Sequence, residues 1–155
     1  MDRTTVHHHF GSQGLLHEAM IERIIDGYIA EAEKAISHAP QSIEQMVSML
    51  FSDKFALPRF DRLLDEFETA ARQDPKIASQ VTRLYKTLEE QLVDFIVNSQ
   101  ADLPRAEARA LGQSLYALLE GAYLLRSWGL PTSRLSVARE AAMRLVDHYK
   151  TTQSK

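Results

Sequence analysis

The sequence predicts an all-α protein of six helices. Apolar residues return every three or four positions in one segment after another, which places them on one side of a helix. Proline, glycine, serine and aspartate stand between these segments, where helices begin and end. No β-rich segment and no internal repeat appears. With 155 residues, 45% hydrophobic and 25% charged, the chain is long enough to bury one core.

The first half of the chain predicts three helices. The first runs from Leu15 to about His38, where Ala39-Pro40 ends it. Its apolar positions are Leu16, Met20, Ile24, Tyr28, Ala32 and Ile36. Ser42 opens a short second helix, whose apolar positions are Ile43, Met46, Val47, Leu50 and Phe51. The third begins near Pro58 and contains Phe60, Leu63, Leu64, Phe67 and Ala71.

The second half predicts three longer helices. Asp74 and Pro75 are an N-cap and a first-turn proline, and they open a helix with a long apolar stripe. That stripe contains Ile77, Val81, Leu84, Tyr85, Leu88, Leu92, Phe95 and Ile96. After a loop at residues 98–103, Pro104 starts a helix that runs to Trp128-Gly129. The last helix follows residues 131–133 and has Leu135, Ala138, Ala142, Leu145 and Tyr149 on one face.

Composition excludes several classes of function. The chain has no cysteine, so disulfides and thiolate chemistry are excluded, and a reducing, cytoplasmic location fits. No apolar signal core and no window of about 20 uninterrupted apolar residues is present, so we expect neither secretion nor a membrane partner. The net charge of −3 argues against a nucleic-acid surface over most of the chain.

No motif of a known catalytic chemistry is present. The sequence lacks a glycine-rich phosphate loop and a Gly-x-Ser-x-Gly elbow, and His17-Glu18 has Ile21 where a zinc protease needs a second histidine. The carboxylate pairs at 65–66 and 89–90 fall on polar helix faces. His7, His8 and His9 point about 100° apart on a helix, so they cannot bind one ion together. We therefore expect no enzyme, no cofactor and no metal site.

Residues 4–16 have the pattern of two helices joined by a tight turn. A short helix-compatible run stops at Phe10-Gly11, because glycine provides the positive φ that ends a helix. Ser12 is a good N-cap for the long helix that follows. The pattern resembles the end of the recognition helix in the TetR family of bacterial transcriptional repressors. The matching residues are Thr5, Val6, His7, His9, Phe10, Gly11, Ser12, Leu15 and Leu16.

The resemblance implies that the N-terminal segment contacts operator DNA. The residues it assigns to DNA binding are Arg3, Thr4, Thr5, His7, His8 and Gln13. The sequence departs from the family at His7, where a tyrosine is usual, and at Gln13, where a lysine is usual. A neutral side chain still hydrogen-bonds a phosphate, but the fixed positive charge is lost and electrostatic affinity with it.

The remaining helices resemble the regulatory domain of the same family. Their closest resemblance is to the branch named for the choline-responsive betaine regulator. Three segments carry it: Phe-Asp-Arg-Leu at 60–63, the Asp-Pro turn at 74–75 and Leu-Glu-Gly-Ala-Tyr at 119–123. The predicted domains are therefore 1–12, a remnant of the helix-turn-helix, and 13–155, an effector-binding and dimerisation domain. The chain begins near the third reading helix, so we expect impaired DNA binding and either a truncated chain or a start placed too far downstream.

The fifth predicted helix indicates a homodimer. Nine of the eleven residues at 115–125 are apolar, and a helix apolar on nearly every side must be covered on nearly every side. Small residues would let another backbone approach: Ala117, Gly121 and Ala122 in this helix, and Ala138, Ala141 and Ala142 in the last. TetR-family proteins pair through their last two helices, which implies contacts at Leu115, Leu119, Ala122, Leu125, Ala138, Ala142 and Leu145. The alternative is a central helix wrapped by its own chain.

Large and adaptable side chains predict a pocket for a small organic effector. The candidates are Met46, Met49, Phe51, Phe67, Tyr85, Leu88, Tyr116, Glu120 and Tyr123. The same residue types at helical spacing also form plain cores. Glu120 is a lone carboxylate in an apolar helix, which is unfavourable unless it is paired. It meets Arg126 or Arg144 across a dimer, or it receives a cationic ligand beside Tyr116 and Tyr123.

These observations favour a TetR-like regulator, most simply a repressor. A small effector would change the spacing of two DNA-reading segments in the dimer, so that they no longer fit successive major grooves. Two alternatives stay open: a stand-alone helical dimer that sequesters a full-length relative, and an unrelated helical bundle that binds a small molecule.

Overall fold

The computed structural model describes residues 13–38, 40–52, 55, 66–131 and 133–152, and these residues form helices and no strand. The predicted all-α class is therefore confirmed. The helices with named bounds are α1 (Gln13–His38), α2 (Ile43–Leu50), α3 (Pro75–Ser99), α4 (Arg105–Ser127) and α5 (Ser133–Thr152). A sixth helical stretch covers residues 66–71, within the predicted third helix.

Side chains satisfy the first turns of two helices, as the sequence predicts. The Ser42 hydroxyl accepts a hydrogen bond from the Gln45 N–H at 3.3 Å, and the Gln45 side chain accepts one from the Gln41 N–H at 2.8 Å. At α3, Asp74 Oδ1 accepts from the Lys76 N–H at 2.8 Å, with Pro75 in the first helical position. These bonds use N–H groups that a helix cannot satisfy itself.

Gly129 ends α4 and turns the chain toward α5. Its φ of 80° is the left-handed conformation that glycine adopts without strain. The Gly129 N–H donates to the Arg126 carbonyl at 2.9 Å, and the Leu130 N–H donates to the Leu125 carbonyl at 3.2 Å. This pair of bonds is a Schellman motif, which satisfies the last free carbonyls of a helix.

The chain divides into two compact units. Unit 1 comprises Met1–Ala32 with Pro58–Thr87, and unit 2 comprises Glu33–Leu57 with Leu88–Lys155. α1 and α3 each contribute residues to both units. The predicted boundary after residue 12 lies at the edge of the described residues and stays a prediction.

In unit 1, α1 and the first half of α3 lie side by side. Their buried side chains are Ile21, Ile25 and Ala32 of α1 and Ile77, Val81 and Leu84 of α3, with Phe67 from the preceding stretch. Two exposed ion pairs connect the helices: Lys76 Nζ to Glu18 Oε1 at 2.7 Å and Arg83 Nη2 to Asp26 Oδ1 at 2.8 Å. Both pairs advance along the two helices in the same direction, so these segments run parallel.

In unit 2, one core joins α2, the second half of α3, α4 and α5. Its most deeply buried members include Met46, Val47, Ile96, Ala108 and Ala142, all at 0% exposure. The four predicted apolar positions within α2 and the fifth, Phe51, directly after it are all buried, which confirms that stripe. Val93 and Val146 are also buried, although neither was among the predicted positions.

The predicted apolar face of α1 is wrong at Met20. Met20 is 53% exposed, whereas Ile21 and Ile25 are buried. The prediction followed residues spaced four apart, and such a series rotates about 40° per step around a helix of 3.6 residues per turn. The series therefore starts away from the buried side, at Met20, and reaches that side only at Ala32, which is 8% exposed.

α3 and α4 approach each other closely at Gly112. A Cβ on this residue would lie 2.8 Å from Val93 Cγ2 and 3.6 Å from Ile96 Cδ1. Polar contacts flank this point: Arg105 Nη2 lies 2.8 Å from Asp94 Oδ1, and Arg109 Nη1 lies 2.6 Å from Glu90 Oε1. Their order along the two helices shows that α3 and α4 run antiparallel here.

The substitution Gly112→Ala should lower the free energy of unfolding by about 1–3 kcal/mol, because the added methyl group overpacks the contact with Val93. Gly27→Ala is the matched control, since its Cβ would meet nothing within 4 Å. It should raise stability by up to about 1 kcal/mol through helix propensity. Urea unfolding of both variants measures the difference, and equal effects would contradict the close approach.

Candidate functional site

The predicted DNA-contacting residues are at the start of the chain. Five of the six lie outside the described residues: Arg3, Thr4, Thr5, His7 and His8. Gln13 is the first residue of α1. DNA contact by this segment therefore stays a prediction.

The nine predicted pocket residues are divided between the two units. Phe67 and Tyr85 belong to unit 1. The other seven belong to unit 2: Met46, Met49, Phe51, Leu88, Tyr116, Glu120 and Tyr123. In unit 2, Met46 and Phe51 are core members at 0% and 3% exposure, and Met49 packs against that core. These three side chains therefore act as core residues in this structure.

The two best-placed tyrosines already use their hydroxyl groups. The Tyr123 hydroxyl lies within donating distance of two carbonyls, 3.0 Å from Leu50 O and 3.1 Å from Ser52 O. The Tyr85 hydroxyl donates to the Glu68 carboxylate. A ligand that hydrogen-bonded either hydroxyl would compete with these contacts. Tyr123 thus has a structural task that the sequence did not reveal, since its partners are backbone groups 71 and 73 residues away.

Glu120 lies on the same side of α4 as the two predicted tyrosine partners. Tyr116 precedes it by four positions and Tyr123 follows it by three, so the three residues are neighbours on the helix surface. Glu120 is half-buried and already interacts with another group in the chain. A cationic ligand at this carboxylate would have to join or replace that interaction.

Four of the seven predicted dimer contacts lie inside the chain's own core. They are Leu115 (1% exposed), Leu119 (7%), Ala122 (6%) and Ala142 (0%). The other three, Leu125, Ala138 and Leu145, are half-buried. The predicted dimer contact is therefore wrong at these four residues. They belong to one core with side chains of α2, α3 and α5 of the same chain, so they need no partner to cover them. The apolar run at 115–125 therefore contains residues of both the buried and the exposed side of α4, and the sequence alone did not show which residue lies on which side.

The other side of α4 exposes an apolar stripe, which we name the outer face. It consists of Ala117, Gly121, Leu124 and Trp128, spaced four, three and four residues apart. Leu124 is 46% exposed and Trp128 is 72% exposed. Ala117 is exposed, and a Cβ on Gly121 would meet nothing within 4 Å. On the adjacent helix α5, Val137 is also 65% exposed.

An open groove in unit 1 contains none of the predicted ligand residues. It has a volume of about 390 Å³ and lies between α1 and the first turns of α3. Its lining residues are Glu18, Ile21, Glu22, Pro75, Lys76, Ile77, Ser79 and Gln80. The Lys76–Glu18 ion pair joins its two sides, and the hydrogen bond from Lys76 to Glu18 raises the pKa of Lys76.

Among the described residues, no group of three or more histidine, aspartate or glutamate side chains could hold a metal ion. In the same part of the chain, no helix has the length and apolar character that crossing a membrane requires. Comparisons with protein-family models, curated proteins and solved structures gave no match for this chain.

Proposed function

We propose that this protein is a homodimeric, TetR-like transcriptional regulator whose α4 outer face pairs with a second copy. The observation that carries the proposal is the division of α4 into a buried side and an exposed apolar side. Leu124 and Trp128 are large apolar side chains in water, and covering them in a dimer is favourable in proportion to the area removed from water. Ala117 and Gly121 allow a second backbone to come close.

The proposed regulatory step is a shift between two dimer arrangements. In this proposal α1 follows in sequence the segment that resembles a recognition helix, and a movement of α1 is passed to that segment. An effector that binds one arrangement more tightly favours it, and the two recognition segments then no longer fit successive major grooves. The location that fits such a regulator is the cytoplasm.

The substitution Leu124→Glu tests the outer face. A charge there should oppose pairing, whereas the monomer should stay folded because Leu124 is already 46% exposed. Leu119 would be a poor probe, since a glutamate at this buried position would unfold the chain. Sedimentation velocity should show a dimer for the unchanged chain and a monomer for Leu124→Glu, with the same far-UV circular dichroism.

Met20→Glu is the matched control for that experiment. Met20 is a large apolar residue of α1 with 53% exposure, so the same charge is added at a similar surface. It should leave the dimer intact. Loss of the dimer in both variants, or in neither, would defeat the assignment of the outer face.

The substitution Gln13→Lys tests the DNA-binding part of the proposal. It restores the charge that the family usually has at this position, so affinity for duplex DNA should rise. Binding should also release about one more counterion, which makes the affinity fall more steeply with salt concentration. Gln73→Lys adds the same charge at an exposed turn after the 66–71 stretch. Fluorescence anisotropy across a salt series measures both. Equal behaviour of the two variants would contradict a DNA contact at Gln13.

The substitution Glu120→Gln tests the effector site, with choline as the probe because of the resembled branch. A cation beside Glu120, Tyr116 and Tyr123 would gain charge and cation–π attraction. Choline at a hundred times its Kd should stabilise the unchanged chain by about 2.7 kcal/mol. Glu120→Gln should remove the thermal shift, and Glu140→Gln on the exposed side of α5 should keep it. A shift retained in Glu120→Gln would show a structural carboxylate.

A further inference from the structure

Helix α2 is held at both ends by the helices nearest the outer face. At its C-terminal end, the Tyr123 hydroxyl of α4 contacts the carbonyls of Leu50 and Ser52 at 3.0 and 3.1 Å. In its first turn, Glu44 pairs with Lys150 near the end of α5. The hydrogen bond from Lys150 lowers the pKa of Glu44 and so favours its carboxylate form. α2 therefore cannot shift without disturbing α4 or α5.

The same helix is also connected to the end of α1. Only a few residues separate His38 from Ile43, and the two side-chain bonds of Ser42 and Gln45 hold residues 41–45 as one capped turn. Ile36 of α1 packs against the core to which α2 contributes four buried residues. A displacement of α2 therefore reaches residues 33–38 through the backbone and through packing.

We propose that α2 couples the outer face of α4 to the end of α1, with Tyr123 as the positioning residue. The inference deepens the proposed function and rests on it, since the outer face must bind a second copy. Tyr123 directly precedes Leu124, so a rotation of α4 that presses Leu124 onto a partner also moves the Tyr123 hydroxyl. The two carbonyls follow it, α2 moves with them, and the capped turn transmits the movement to α1.

Reciprocity makes the coupling measurable. If dimer formation favours one position of α2, that position in turn favours the dimer, so a variant that depopulates it should weaken the dimer. The hydroxyl of Tyr123 points at backbone carbonyls of its own chain, so its removal takes no contact from the outer face. If this hydroxyl had a purely structural role, its removal would loosen α2 and leave the dimer dissociation constant unchanged.

The experiment compares the full chain with Tyr123→Phe by amide hydrogen exchange and by sedimentation equilibrium. We expect exchange to quicken by about fivefold or more in residues 43–52 and 33–38, and the dimer dissociation constant to rise by a similar factor. Lys150→Gln, which releases the other end of α2, should act in the same direction. Residues 105–113 of α4, which lie outside the outer face, should exchange at an unchanged rate in both variants.

Tyr149→Phe is the control, because its ring packs against the same core and meets His148 edge-on at a centroid distance of 5.8 Å. It should alter neither measurement. A dimer with an unchanged dissociation constant in Tyr123→Phe, and faster exchange confined to residues 43–52, would overturn the coupling. A chain that stays monomeric at every concentration would instead overturn the proposed dimer itself.

Discussion

The close approach of α3 and α4 at Gly112 determines the orientation of α4 in its unit. A side chain there would force a neighbour to move, since a Cβ would lie 2.8 Å from Val93 Cγ2. Arg105 and Arg109, which precede Gly112 in α4, pair with Asp94 and Glu90 of α3, and these pairs favour the same register of the two helices. With one side of α4 fixed against α3, the opposite residues Leu124 and Trp128 face solvent. The outer face therefore lies on the side of α4 opposite this contact and the core.

Most of the fold could be predicted because its signals are local. Ser42, Asp74 and Pro75 mark helix starts through hydrogen bonds to their own neighbours, and Gly129 marks an end through its own φ. The position of Gly112 against Val93 joins residues 19 apart on different helices, and no local pattern specifies it. For the same reason the sequence showed that residues 115–125 are apolar but not which of them the chain covers itself.

The candidate site was less predictable than the fold. Met46 and Phe51 have the size and flexibility that suit a ligand pocket, but the same properties fill a core, and the structure buries both. Tyr123 was predicted as a ligand contact, and its hydroxyl instead meets two backbone carbonyls of α2 and the turn after it. Long-range partners decide between these roles. The spacing of Tyr116, Glu120 and Tyr123 on one side of α4 is the part that helical periodicity did specify.

Trp128 gives the protein a built-in optical probe. It is the only tryptophan in the sequence, and its indole ring stands 72% exposed at the end of the outer face. Indole fluorescence moves to shorter wavelength when the ring passes from water into an apolar contact. An apolar partner that covers this end of α4 should therefore move the emission maximum of the unlabelled chain to shorter wavelength, and excitation at the red edge of the absorption band follows this one side chain without the five tyrosines.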